Sequence, residues 1–279
     1  MTLTIAPLSE TIGAEVTGVM AVDLGRDDTL ASALSHAVAH HGVLVFRDLH
    51  LDPETQVAFC RKLGEVDESP GHHPVTGIYR VTLDRRRNAS AEYLQGTFDW
   101  HIDGCTPLHG EPPQMATVLT ATAVSALGGE TEFVSTYAAY DDLSTDELKL
   151  VGALRVLHTM EASQRRQYPN PTDDQWARWR ARPTAEHPLV WTHRDGRKSM
   201  VIGTSCDHVV GMDVDEGRAL LDELVTRATR PERVYGHVWS VGDTLMWDNR
   251  GVLHRALPYD PMSPRDMHRT TLHGDEEIR

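Results

Sequence analysis

Two stretches far apart in the chain carry complementary halves of one site. Trp100-His101-Ile102-Asp103 puts an imidazole and a carboxylate two residues apart in a segment that reads as a strand, where residues i and i+2 share a face. A third ligand type, His254, closes Trp247-Asp248-Asn249-Arg250-Gly251-Val252-Leu253-His254, 151 residues after Asp103. A fold that uses all three must bring these stretches together, as the two ends of a barrel are brought together. Two imidazoles and one carboxylate on one face of an ion leave positions open for chemistry, the arrangement of non-haem Fe(II) oxygenases. The same three groups also suit Zn2+ with one bound water, so a zinc-dependent hydrolase and a non-catalytic jelly-roll binding protein stand beside the oxygenase as alternatives. His-x-Asp alone is a weak signal in a chain with 16 histidines, and its weight comes from what surrounds His254.

A chain of 279 residues, 40% hydrophobic and 24% charged, can bury a substantial core, and we read residues 1–279 as one domain without repeats. The net charge of −14 argues against a nucleic-acid partner, since such binding rests on Lys and Arg at phosphates. No apolar run approaches the roughly 20 residues that span a bilayer. The start Met1-Thr2-Leu3-Thr4-Ile5-Ala6-Pro7 lacks the basic and apolar regions of a signal peptide, which predicts a cytoplasmic protein with no membrane partner. Cys60, Cys105 and Cys206 are widely spaced and read as reduced thiols, Cys105 as a small buried hydrophobe. A homodimer or homotetramer is compatible with all of this.

Alternation around Gly13 and Gly18 predicts short N-terminal strands between Ile5 and Leu24. Asp27 or Asp28 should cap a helix that Gly42 ends, and Asp52-Pro53 should start another that stops at Gly64. Between them Val43-Leu44-Val45-Phe46 is a continuous apolar run, hence a buried strand. From Gly64 to Trp100 the pattern weakens to loop, with one strand at Ile78 to Val81 and a solvated basic turn at Arg85-Arg86-Arg87. Strands follow at Met115 to Ala121 and Gly128 to Val134, then a helix with a Ser144/Glu147 capping box. Gln164 to Arg182 has no clean period and reads as an insertion, while Asp195-Gly196 marks a hairpin. A helix from Asp213 to Arg230 precedes strands at Val234 to Trp239, Thr244 to Trp247 and Arg269 to Leu272. The expected class is mainly β with flanking helices, around a double-stranded β-helix (jelly roll, cupin-like) core. Segments 65–99 and 160–185 are the expected lid or substrate loops.

Taken jointly, Trp100-His101-x-Asp103, Gly128-Gly129-Glu130-Thr131, Trp247-Asp248-Asn249-Arg250-x-x-x-His254 and Arg265-x-x-x-Arg269 resemble the TauD/TfdA family of Fe(II)/2-oxoglutarate-dependent dioxygenases. The resemblance runs from Ile12 to Asp275. It implies that His101, Asp103 and His254 hold Fe(II), and that 2-oxoglutarate chelates the iron and sends its far carboxylate to Arg265 and the Thr131 hydroxyl. A planar, always charged guanidinium suits bidentate carboxylate binding. Arg269 is implied at the substrate end, or as a second partner of the cosubstrate, with Thr97 and Phe98 as further substrate contacts. The implied reaction consumes O2, releases succinate and CO2, and hydroxylates a small anionic substrate such as an aryloxyalkanoate or alkylsulfonate. Related halogenases lack the carboxylate, so Asp103 favours hydroxylation; a heteroatom on the hydroxylated carbon would turn the product toward bond cleavage. The segment Tyr93 to Phe98 shows no sulfonate cage, which lowers taurine and leans the reading toward aryloxyalkanoates.

Overall fold

The computed structural model describes residues 2–105 and 112–279. In chain order its strands are β1 Thr4–Pro7, β2 Ala14–Thr17, β3 Val43–Phe46, β4 Tyr79–Val81, β5 Ala116–Ala123, β6 Thr131–Ser135, β7 Arg155–His158, β8 Ala185–Pro188, β9 Val190–Thr192, β10 Lys198–Met200, β11 Cys206–Val209, β12 Tyr235–His237, β13 Thr244–Asp248, β14 Val252–Ala256 and β15 Asp266–Leu272. Seven of these form a large sheet in the order β1-β2-β3-β13-β5-β15-β4, antiparallel except between β2 and β3. A smaller antiparallel sheet has the order β12-β6-β14. The arrangement is mainly β with helices on its flanks.

Sequence patterning explains where the core sits. Val43 and Val45 of β3 point to a cluster shared with Leu119, Leu245, Trp247 and Met267 of the large sheet and Phe133 and Val252 of the small one. That cluster lies between the two sheets. Leu44 and Phe46 point the other way, to Leu34, Val38, Phe59 and Cys60 on the helices Asp28–His41 and Pro53–Leu63. A strand covered on both faces has no polar side, which is why it reads as an unbroken apolar run. Local signals set the boundaries: Asp27 accepts from the amides of Thr29 and Leu30, Asp52 from that of Thr55, and Ser144 and Glu147 close a capping box. Gly42 at φ 73° ends the first long helix.

Two readings change. The stretch from Gln164 to Arg182 is not featureless, because it contains the end of one short helix, Met160–Arg165, and all of another, Asp173–Arg180. The second buries only Trp179, so no apolar stripe betrays it in the sequence. Trp100 to Asp103 is not a strand: His101 makes an isolated bridge, and Asp103 sits in the turn before Gly104. No helix of the described residues is long and apolar enough to cross a membrane.

His158 and His237 have no exposed surface, and burial first of all lowers their pKa values from 6.5 to about 3 and about 4. The unfolded chain protonates both near 6.5 while the folded chain does not, so stability falls as pH drops below that value. The Tm of the metal-free protein should therefore decline from pH 7 to pH 5, each group costing up to about 1.4 kcal/mol per pH unit. Calorimetry showing a flat Tm over that range would contradict the burial of these rings as neutral groups.

Candidate active site

Two backbone hydrogen bonds hold the halves of the site together. His101 N donates to His254 O and His254 N to His101 O, both at 2.9 Å. This antiparallel bridge sets the two imidazoles side by side, with ring centroids 4.2 Å apart. His101 Nδ1 lies 2.9 Å from the Asp99 carbonyl, which can only accept, so the ring's lone pair is left on Nε2. Asp103 follows at a turn and returns its carboxylate to the pair, 3.8 Å from His101 Nε2 and 3.7 Å from His254 Nε2. Those separations exceed hydrogen-bond reach, so the three groups face a common point without satisfying one another. Their ligand atoms all lie within 4.8 Å of one another, a donor set that fits a divalent ion.

The surroundings favour the protonation states a metal needs. His254 is packed between Phe133 and Trp247; burial, then the neighbouring His101, pushes its pKa down to about 3, against the opposing pull of Asp103. Burial alone would raise the Asp103 pKa, but His254, Arg269, His101 and the Thr117 hydroxyl outweigh it and hold the carboxyl below its ordinary value. Thr117 Oγ1 donates to Asp103 at 3.3 Å and itself accepts from Asn249 Nδ2 at 3.0 Å, which orients the carboxylate from β5 and from the turn before His254.

A pocket opens from this triad between the sheets. Its walls are Val81, Leu94, Leu119, Trp247, Ala256 and Tyr259, with Thr97, Thr131, Arg265 and Arg269 as polar groups. Arg265 is 3% exposed; its Nη2 donates to Gly129 O at 3.3 Å and its guanidinium lies 4.7 Å from the Tyr259 ring centroid. Gly129, at φ 83°, makes room: a Cβ there would stand 2.9 Å from Arg265 Nε. Arg269 stacks over Tyr79 at 4.9 Å and brings Nη1 to 3.9 Å from Asp103 Oδ1. Thr131 Oγ1 accepts from Trp239 Nε1 at 2.9 Å, leaving its own proton to donate elsewhere. Thr97 lines the pocket, though its hydroxyl donates to Leu94 O at 2.6 Å. Phe98 does not line it; its ring packs edge-on against Tyr259.

The 3-10 segment Ala91–Phe98 covers the pocket and is fastened from outside by the two helices. Gln164 Nε2 donates to Tyr93 O, Tyr168 Oη to Glu92 O, and Arg178 pairs with Glu92. Gly96 packs so tightly on Gln164 that a Cβ would come within 2.5 Å of its Nε2. Sequence reasoning missed Tyr79, Thr117, Trp239 and Tyr259. No local pattern marks them, because each acts on a residue distant in the chain.

With this geometry in hand, comparison with known proteins is informative. The family described as taurine catabolism dioxygenase TauD, TfdA family matches residues 4–271. An (S)-phenoxypropionate/alpha-ketoglutarate-dioxygenase of Sphingobium herbicidovorans is 34% identical, over 97% of this chain and 95% of that one. An alpha-ketoglutarate-dependent 2,4-dichlorophenoxyacetate dioxygenase of Burkholderia sp. is 37% identical, over 83% of this chain and 82% of that one. Among solved structures, AAD-2 in complex with Mn(II) and N-oxalylglycine superposes with a TM-score of 0.85 at 30% identity, each chain covered fully. A taurine dioxygenase from Burkholderia xenovorans gives 0.76 at 29% identity, over 99% and 90%.

Proposed function

The chain belongs to the TauD, TfdA family and is a 2-oxoglutarate-dependent dioxygenase that uses Fe(II) and O2, and from that premise we propose that it hydroxylates, and thereby cleaves, an aryloxyalkanoate. One observation carries the reading: two guanidiniums four residues apart, Arg265 and Arg269, enter the same apolar pocket as the His101, Asp103, His254 cluster. A zinc hydrolase has no use for that pair, and neither has a simple binding protein for a metal cluster beside it.

In this reading His101, Asp103 and His254 hold the iron. Bound there, the metal supplies the coupling of O2 reduction to oxidative decarboxylation of 2-oxoglutarate, giving succinate, CO2 and the oxidising power to take hydrogen from a substrate C–H bond. Arg265 binds the far carboxylate of the cosubstrate, with the free Thr131 proton as a second donor. The fit is physical: a buried guanidinium held by one carbonyl and a ring face has donors to spare and no carboxylate partner among the described residues. Arg269, nearer Asp103, takes the substrate carboxylate. Val81, Leu94, Leu119 and Trp247 shelter the aryl ring and keep water from the reacting carbon. Hydroxylation of a carbon that carries ether oxygen gives a hemiacetal-type product, which collapses to a phenol and a carbonyl compound. The same reading takes residues 1–279 as one domain with a double-stranded β-helix core. Support comes from two facing sheets with the metal cluster at the mouth of the core between them, and from the interlocked segments within 65–99 and 160–185 that cover the pocket.

Purified protein loaded anaerobically with Fe(II) should develop a charge-transfer band only when 2-oxoglutarate is added, and should release succinate faster with 2-phenoxypropionate than with alkylsulfonates. No band, or equal stimulation by every anion, would sink the reading. R265A should raise the KM for 2-oxoglutarate by roughly tenfold to a hundredfold, as expected for loss of a charge-assisted pair. R269A should instead raise the KM for the phenoxy acid; the reverse pattern would exchange the two roles.

A further inference from the structure

The Arg85-Arg86-Arg87 run takes no part in the site described so far. It borders a second cavity of about 330 Å³, lined by Leu83, Asp84, Arg85, Arg86, Ala91, Glu92, Gln95 and the turn Pro261-Met262-Ser263. Three chain segments wall both cavities. Val81 faces the inner pocket and Leu83 the outer one; Leu94 and Thr97 face inward while Ala91, Glu92 and Gln95 face outward; Tyr259 lines the inner wall and Pro261 to Ser263 the outer. The outer cavity therefore sits directly outside the inner one, separated by the 3-10 segment Ala91–Phe98.

Its charges are uneven. Asp84 is taken by the Arg86 guanidinium at 2.9 Å, and Glu92 by Arg178 at 3.0 Å. Flanking the lining residues in the chain, Arg80 and Arg87 share the single carboxylate of Asp266. Arg85 is exposed and has no carboxylate partner among the described residues. Among these groups five guanidiniums stand against three carboxylates, a local positive excess in a chain whose net charge is −14. The floor, by contrast, is apolar at the buried Leu83 and Ala91, and the exposed Pro261 and Met262 add apolar surface at the edge. Cationic rim and apolar floor together match an aryl group bearing a carboxylate.

We propose that this outer cavity is a capture site for the anionic substrate, where Arg85 holds the carboxylate of an aryl acid before it passes to Arg269. The proposal rests on the function proposed above. Local positive charge at a cavity mouth raises the encounter rate of an anion by tenfold or more, and does so only at low salt. The cavity therefore acts on the rate of capture, and the inner pocket on the chemistry.

The test compares wild type, R85A and R85K, loaded with Fe(II) and 2-oxoglutarate, on 2-phenoxypropionate and on its neutral amide across a salt series. R85A should lose roughly tenfold in kcat/KM for the acid at about 20 mM NaCl, and the deficit should vanish near 0.5 M, where the Debye length is only a few ångströms. The loss should fall on kcat/KM and leave kcat alone, R85K should recover most of it, and the amide should not distinguish the variants. A wild type that turns over the acid while R85A keeps the same rate and salt slope overturns this inference alone, as does an equal loss on the amide. A wild type that makes succinate with neither probe overturns the proposed function and this inference with it.

Discussion

The pair of backbone hydrogen bonds between His101 and His254 is the interaction on which the site depends. Neither histidine could find the other through side-chain attraction, since two imidazoles carry no opposite charges. The bridge brings them together because β14, which carries His254, is itself fixed in register on β6, with His254 opposite Phe133 and Ala256 opposite Thr131. Side chains on a strand alternate, so a slip of one residue would turn His254 away from the interior and Thr131 away from Arg265. The interdigitated cluster around Phe133 and Trp247 forbids that slip, because it would expose the rings that now fill the space between the sheets. Packing of ordinary apolar residues thus fixes the positions of the polar ones.

The electrostatic design follows from where those polar groups end up. Asp103 has two imidazoles and Arg269 within 4 Å, and among the described residues it is the only carboxylate that lines the pocket. Arg265 has none within pairing distance among the described residues, and a buried guanidinium of that kind costs several kcal/mol unless something offsets it. Tyrosine faces supply part of the offset: Tyr259 under Arg265 and Tyr79 under Arg269, each contact worth about 0.5 to 2 kcal/mol. The two tyrosines come from the segment after β14 and from β4, so the aim of two arginines on one strand end is set by three separate parts of the chain. Donors fixed in this way need little reorganisation when an anion arrives.

Which of these features the sequence discloses follows the range of the interaction responsible. Caps at Asp27, Asp52 and Ser144, the Asp195-Gly196 hairpin and the apolar run of β3 were all legible, since each is decided within a few residues. The cluster of His101, Asp103 and His254 was legible as a set of residue types, but for the wrong local reason: His101 and Asp103 converge through a bridge and a turn, and not through strand alternation. Arg265 and Arg269 share a face by their spacing, yet the register shift at Asp266, where the Thr122 hydroxyl caps the Asp266 carbonyl, has no mark in the sequence. The two helices that fasten the cover escaped notice because they are short and each buries a single apolar side chain, Ala162 and Trp179. Their role is to hold the 3-10 segment through Gln164, Tyr168 and Arg178, and polar contacts of that kind have no period.

For a strongly acidic chain, the proposed anionic substrate requires that global and local fields be kept apart. At physiological salt the Debye length is about 8 Å, so most of the negative surface is screened from the pocket, and an approaching anion responds to the charges within one or two side-chain lengths. Around the outer cavity Arg80, Arg85, Arg86, Arg87 and Arg178 outnumber Asp84, Glu92 and Asp266, and deeper in the pocket Arg265 and Arg269 outnumber Asp103. Positive excess therefore persists along the inward path while the dielectric falls, and each step strengthens the pull on a carboxylate. His101, His254 and Arg269 lie on a paired strand or a bridge, whereas Asp103 sits in a turn, Arg265 just before β15, and Leu94, Thr97 and the 83–95 wall in loop and 3-10 structure. The two imidazoles are thus held by register, which tolerates little change, and the cover of the pocket by surface segments, which can be altered without disturbing it.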